Sequence, residues 1–500
     1  MSNQIRKGAF ISYTTIAINI LLGLLYTPWM IDKIGVSDYG LYALISAFLS
    51  YFILDFGLGE AIARFLALAV ANKDSARIKS IINSSIRIYL LIDLGIFLTL
   101  CIIYCYLNNI FGNLTDTEQE KLHVIFCIAG FFSILSFPLM PLNGILIANE
   151  RFVCIKTCDL VQKTAIALLS IIAILLSYGL YTIILIHGLS GLLTGIYKAY
   201  YARSYLNLKI NLRDYNSSTI KSLFKFSFFV FVIGIAQRLT VNICPTILGI
   251  QSTTLQITIF SIASALEAHT WTFANALNGL FLPKVAKLSL KDSSQVEITN
   301  LMIKIGRLQL LIIGLLISCF FVVGQSFIKL WVGEAFQSAY YITLLMILPS
   351  LITLTQSIAQ TLLYVKNEIR YRAIIFICSS IISFIVSYTL SPKYGAIGCG
   401  IGIGISILAC HIIGMNIVYA KILKLDILLF FKECHRKILS PIILIAALSL
   451  FITIHLVTLD SWFKLFLFVS IYTALYSLTM WFAVLNKSEQ KLIKGILHKI

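Results

Sequence analysis

The stretch from Tyr39 to Ser80, YGLYALISAFLSYFILDFGLGEAIARFLALAVANKDSARIKS, decides how the chain is read. It opens as an apolar run carrying one acid, Asp55, passes the glycines Gly57 and Gly59, and leaves the apolar zone through Glu60 and Arg64. It closes on a basic segment with Lys73-Asp74-Ser75, Arg77 and Lys79. About 20 consecutive apolar residues in a helix cross a ~30 Å hydrocarbon core. Residues 39–63 therefore read as one membrane span with a basic exit into water. The tripeptide at its end returns as Lys291-Asp292-Ser293, 218 residues later, which predicts a chain built twice.

Composition extends that reading to the whole chain. Of 500 residues 59% are hydrophobic and only 12% charged, with a mean hydropathy of +0.93, which excludes a soluble globule. The runs are apolar all round rather than alternating, which excludes an outer-membrane barrel. The expected fold is an all-α polytopic membrane protein with fourteen spans. They lie near 10–30, 39–63, 87–107, 123–142, 159–177, 180–197, 225–248, 256–280, 306–326, 340–364, 373–391, 395–419, 440–458 and 465–485. The first is expected to be retained, because the run from Gly8 to Ile31 is too long for a signal-peptide core and no small-residue cleavage site follows it.

Charge supports the count. Of 39 lysines and arginines, 33 fall at the N-terminus, beside loops after even-numbered spans, or at the C-terminus; five fall in the other loops, and Arg238 alone lies deep inside a span. Such an asymmetry predicts both termini in the cytoplasm. The net charge of +18 then needs no nucleic-acid partner, since the basic side meets anionic lipid headgroups. The end of the chain, 486–500, reads as an amphipathic surface helix with Lys487, Lys491 and Lys494 on one face. Eleven cysteines, mostly within spans, make no disulfide framework, and Cys154 and Cys158 lack nearby histidines for a metal site.

The repeat has further matches. Asn149-Glu150 returns as Asn367-Glu368, Tyr178-Gly179 as Tyr394-Gly395, and Pro28 as Pro245, each 216 to 218 residues on. An offset of six spans keeps orientation, so the copies are parallel repeats. The expected division is an N-lobe at 1–203, a cytoplasmic linker at 204–224, a C-lobe at 225–421, two extra helices at 422–485 and the tail at 486–500. Two lobes about a central cavity suit transport by alternating access. The loops after odd-numbered spans are too short and too poor in catalytic groups for a membrane-embedded polysaccharide polymerase or glycosyltransferase, so no enzyme is expected.

GVSDYGLYAL at Gly35–Leu44 and LDFGLG at Leu54–Gly59 resemble the O-antigen and polysaccharide flippases of the multidrug/oligosaccharidyl-lipid/polysaccharide exporter superfamily. WVGEAF at Trp331–Phe336 and YGAIGCGIG at Tyr394–Gly402 are similar to that family too. The resemblance implies a bacterial inner-membrane protein that moves an undecaprenyl-diphosphate-linked oligosaccharide from the cytoplasmic to the periplasmic leaflet. It implies membrane lipids as surroundings, a groove for the lipid tail at spans 13 and 14, and no bound cofactor. A polysaccharide polymerase or chain-length regulator is the expected partner of a monomeric flippase. A multidrug or cation antiporter of the same superfamily is the alternative.

Charged side chains within spans mark pathways. Arg238, in span seven, suits a diphosphate through bidentate charge-assisted hydrogen bonds, or pairs with Glu267 in span eight. Arg64 and Lys284 sit at equivalent exits of spans two and eight and are further headgroup candidates. Asp55, Asp93 and Glu267 are the cavity acids, either coupling H+ or Na+ or simply hydrogen-bonded to neighbours. His269, beside Glu267, is a secondary candidate. Gly398, Gly400, Gly402 and Gly404 read as close helix packing rather than a nucleotide loop. Pro28, Pro138, Pro141, Pro245 and Pro349 are candidate bends.

Overall fold

The structure is a computed structural model that describes residues 20–21, 23–52, 55–206, 217–275, 294–366, 368–487 and 489–490. Every regular element among them is a helix. After α1 (residues 23–34) come α2 (Val36–Leu49), α3 (Leu58–Ala71), α4 (Ser75–Ile110), α5 (Asp116–Ser136), α6 (Pro141–Ala148), α7 (Phe152–Leu175), α8 (Leu180–Leu206), α9 (Ser217–Val241), α10 (Ile243–Gln251) and α11 (Thr254–Asn275). Then follow α12 (Ser294–Trp331), α13 (Ser338–Thr355), α14 (Ser357–Val365) and α15 (Ile369–Tyr394). The last three are α16 (Ala396–Lys421), α17 (Ile427–His455) and α18 (Trp462–Val484), each with a wider π turn inside.

Eleven of the described helical segments are long and apolar enough to cross a membrane, and they coincide with the third to seventh and ninth to fourteenth expected spans. α4 displays the reason. Ile88, Tyr89, Ile96 and Leu100 are buried, while Leu91, Leu94, Leu98 and Ile102 stand exposed on the opposite side. A helix apolar on both faces is stable only with lipid on the outer one. Residues 1–19, 207–216, 276–293 and 491–500, with parts of the first and eighth spans and most of the tail, lie outside the described residues.

α4 has 36 residues, and the described part of α12 has 38. At 1.5 Å per residue both run to roughly 55 Å, well beyond one hydrocarbon core. The fourth span breaks in a 3-10 turn at Phe137–Leu139, beside Pro138 and Pro141; the tenth breaks at Gln356. α9 and α10 part at Asn242, where Pro245 cannot donate to the Val241 carbonyl. Pro28 and Pro349 lie inside helices without such a break.

Contacts gather the chain into two units, Met1–Ser261 with Ser383–Cys399, and Ile262–Ile382 with Gly400–Ile500. In the first unit α3 packs on α6, and α5 and α7 on α8. A polar cluster ties in the ends of α10, α11, α15 and α16. Glu118 accepts from Ser37 Oγ at 2.5 Å and Thr254 Oγ1 at 2.8 Å. Gln256 accepts from the Ala396 amide at 2.9 Å, and Ser391 donates to Gln251. In the second unit α12 is central, touching α13, α17 and α18. The glycine row of α16 serves packing there: a Cβ on Gly404 would lie 2.9 Å from the Leu345 carbonyl of α13.

Candidate functional site

The second span, expected as a single helix over 39–63, is two helices, α2 and α3, and residues 50–52 and 55–57 between them are not helical. The break is written in D-F-G. Phe56 and Gly57 both take left-handed conformations, φ 52° and 67°, which a helix cannot carry. At Gly57 a Cβ would also lie 2.8 Å from Val230 Cβ of α9. The Phe56 ring is held by stacking on Phe231, centroids 4.8 Å apart. Asp55 accepts from the Gly59 amide at 3.0 Å, satisfying an orphan donor at the start of α3, and from the Tyr89 hydroxyl. At the repeat offset α11 has Phe273-Ala274-Asn275 and no such glycine, and it is one helix from Thr254 to Asn275.

In hydrocarbon every released backbone group must be satisfied within the protein or by a polar cavity. At the α2 side of the break that task falls to α9. Arg238 Nη1 donates to the Ser50 carbonyl, and Asn242 Nδ2 donates to Ser50 Oγ at 2.8 Å. Ser50 caps the C-terminal end of α2, and Arg238 and Asn242 lie at that of α9. Both ends carry negative partial charge, which favours a guanidinium. Within the candidate span Ser227–Gln251, Arg238 lies 11 residues from one end and 13 from the other, near the middle of the segment. Among the described residues it makes one hydrogen bond, out of five donors.

One turn along α4 from Tyr89 lies Asp93, on the same face. It is 8% exposed, and its Oδ1 has no partner among the described residues. Asp55, Asp93 and Arg238 thus belong to the first unit, two of them directly at the break. Arg64 is exposed on α3, outside the break. Glu267 and His269 are half-buried on the part of α11 that belongs to the second unit. Lys284 lies outside the described residues. Ser50, Tyr89 and Asn242 escaped the sequence reading, although the spacings Tyr89/Asp93 and Arg238/Asn242, four residues each, put polar pairs on one helix face.

The second unit holds a groove of about 520 Å³ between α12, α13 and α17. Ile317, Phe321, Leu351, Ile442 and Leu450 line it, with Gly314 and Ala446 giving it depth, and Ser318 is its one polar side chain. Nearby, Arg307 of α12 makes a buried two-pronged pair with Glu489, at 2.6 and 3.0 Å. It also donates to the carbonyls of Glu433 (2.9 Å) and Val484 (3.0 Å). This fixes α17 and the end of the last span to the central helix.

A family model described as "polysaccharide biosynthesis protein" matches residues 5–275, more than half of the chain. No curated protein matches. Among solved structures the chain is similar to the lipid II flippase MurJ in an inward closed conformation, at 15% identity and TM-score 0.71, covering 95% of this chain and 98% of that one. It is also similar to an inward-facing multidrug-resistance MATE transporter of the MOP superfamily, at 14% and 0.64, over 83% and 98% of the two chains. A third, the multidrug transporter DinF-BH in complex with R6G, is similar at 12% and 0.62, over 84% and 96%. On the family match over more than half of its length, the chain belongs to the polysaccharide biosynthesis protein family, and it carries the fold of MOP-superfamily flippases and transporters.

Proposed function

We propose that this protein flips an undecaprenyl-diphosphate-linked oligosaccharide across the bacterial inner membrane by alternating access, with both termini cytoplasmic. The observation that carries the reading is Arg238, a cation near the middle of a candidate span whose described partner is a neutral carbonyl at a helix break. A diphosphate can take that guanidinium in bidentate fashion, with charge-assisted bonds stronger than the carbonyl's. Flipping breaks no covalent bond, so no catalytic residue is required.

The remaining parts fit one substrate. The polyprenyl tail stays in hydrocarbon along the groove of α12, α13 and α17, whose lining is almost wholly apolar. Asp93, buried with an unpartnered oxygen, is the first choice for carrying a proton or Na+, with Asp55 held by Tyr89 as the second. One elementary charge moved across the membrane is worth about 2.3 kcal/mol per 100 mV, enough to bias direction. Against the multidrug antiporter stands the extent of the likeness. The MurJ flippase aligns over 95% of this chain and the MATE transporters over about 83%, so the flippase alone can account for the helices beyond the twelve of the repeat. Partnership with a polymerase or chain-length regulator follows from the same reading.

The test is deletion in the native host. Lipid-linked repeat units collecting in the cytoplasmic leaflet, with surface polysaccharide lost, supports flipping. Single units collecting unpolymerised outside points to a polymerase, and unaltered polysaccharide with altered drug tolerance to an antiporter.

A further inference from the structure

A polar hollow lies inside the first unit, between α2, α5, α7 and α8, and nothing said so far uses it. Its volume is about 330 Å³, at the low end of the ~300–1,000 Å³ typical of small-molecule sites. Six polar side chains reach it: Tyr42 and Ser46 from α2, Ser133 and Ser136 from α5, Gln162 from α7 and His187 from α8. No Asp, Glu, Lys or Arg is among its lining residues. Tyr42 and Phe132 add aromatic faces. In a membrane span a cluster of hydroxyls, an amide and an imidazole is costly unless it meets a polar partner.

The partners these groups find within the protein are few. Tyr42 Oη and His187 Nε2 are 3.3 Å apart, their rings edge-on. Ser133 bonds back to the Ala129 carbonyl at 2.7 Å. Gln162 accepts from Thr194 through its oxygen at 3.4 Å, which turns its amide nitrogen towards Gly191. A Cβ at Gly191 would sit 3.5 Å from that nitrogen, an ordinary contact distance, so the amide lies against the wall of the hollow. Donors and acceptors thus surround an uncharged space one sugar ring in size, with aromatic walls.

The hollow also adjoins the headgroup site. Leu49 lines it, and the next residue, Ser50, carries the carbonyl that Arg238 holds. The carbonyl that Arg238 holds is thus one residue along the chain from the wall of this space. Resting on the flippase reading above, we infer that the hollow binds one neutral monosaccharide of the lipid-linked glycan, the one nearest the diphosphate. A bare metal cation is disfavoured, because no lining carboxylate neutralises it.

The experiment compares two probes on the purified full chain in lipid nanodiscs by native mass spectrometry. One is the polyprenyl-linked glycan extracted from the cells that make it, the other undecaprenyl diphosphate without sugar. Two or three neutral hydrogen bonds give a preference of about tenfold or more for the glycan-bearing lipid. Gln162→Leu and His187→Phe, which keep volume and remove hydrogen bonds, are expected to bring that preference close to one while bare-lipid binding stays as in the wild type. Ser136→Leu, which fills the space, is a second route to the same result. A preference that survives these variants overturns the inference, as does loss of both lipids together, which marks a packing role. Equal wild-type binding of both lipids overturns it too, yet leaves the flippase reading standing. If the wild type binds neither lipid, the flippase reading itself fails.

Discussion

Arg238 is where stability and transport can be separated. Arg238→Ala removes the donor that satisfies the Ser50 carbonyl and leaves an unpaired acceptor at a helix end. Such a loss costs about 1–3 kcal/mol. Asn242 still holds Ser50 through its hydroxyl, and the arginine is only half-buried, so about 1 kcal/mol is expected. Transport loses more, because a charge-assisted hydrogen bond is worth about 1.5–3 kcal/mol and a diphosphate can take two. Arg238→Lys keeps the charge and one donor to Ser50 but not the planar fork. Export of lipid-linked glycan in a host lacking the wild-type gene is therefore expected to fall at least tenfold for Arg238→Ala and less for Arg238→Lys. Thermal midpoints of the two purified variants should differ little. If both variants export normally, Arg238 is a structural cap and the diphosphate role is gone. If export falls only in step with the folded fraction, the same conclusion holds.

Four other changes test neighbouring parts. Gly57→Ala meets both a left-handed φ and Val230 at 2.8 Å, so it should destabilise by about 2–4 kcal/mol; adding Val230→Ala should recover the steric part, seen as a partial return of the melting temperature. Glu489→Ala takes the carboxylate from a buried guanidinium, 7% exposed, and should cost about 3–5 kcal/mol, whereas Arg307→Met with Glu489→Leu strands no charge and should cost less, its loss being the Glu433 and Val484 carbonyls left unpaired. Ala446→Trp fills the apolar groove and should weaken binding of an undecaprenyl lipid while sparing an analogue with a three-isoprene tail; equal weakening of both refutes the tail site. Asp93→Asn should abolish the dependence of flipping on an imposed proton or sodium gradient in proteoliposomes, and retained dependence moves the coupling role elsewhere.

The fold was legible because lipid imposes a coarse code. A helix such as α4 must be apolar on its outer face as well as its inner one, so the positions of the spans can be read from hydropathy. The interruption of the second span was not legible. Hydropathy is blind to φ, and Ile53-Leu54 reads as apolar whether or not its backbone is helical. Asp55 was singled out as a charge in a span, yet its contacts are those of a helix cap, with the Gly59 amide and the Tyr89 hydroxyl. Tyr89, Ser50 and Asn242 were missed because a hydroxyl or an amide in a span attracts no notice until the carbonyl or carboxylate it serves is located.

The break in the second span has no equivalent at the repeat offset read from the sequence. Here one copy carries D-F-G and parts into α2 and α3, while its counterpart α11 has no glycine at that point and is a single helix through Asn275. Side chains from other helices hold this stretch: Arg238 of α9 takes the Ser50 carbonyl, Asn242 the Ser50 hydroxyl, and Tyr89 of α4 the Asp55 carboxylate. An anion that draws Arg238 away from Ser50 therefore frees a carbonyl that only Arg238 or a polar ligand can satisfy. Binding of a charged headgroup and the conformation of the second span are then linked through a single hydrogen bond, and the linkage runs both ways. A variant that straightens the span, such as Gly57→Ala, should alter affinity for undecaprenyl diphosphate although it touches no part of the ligand; unchanged affinity in the folded variant refutes the coupling.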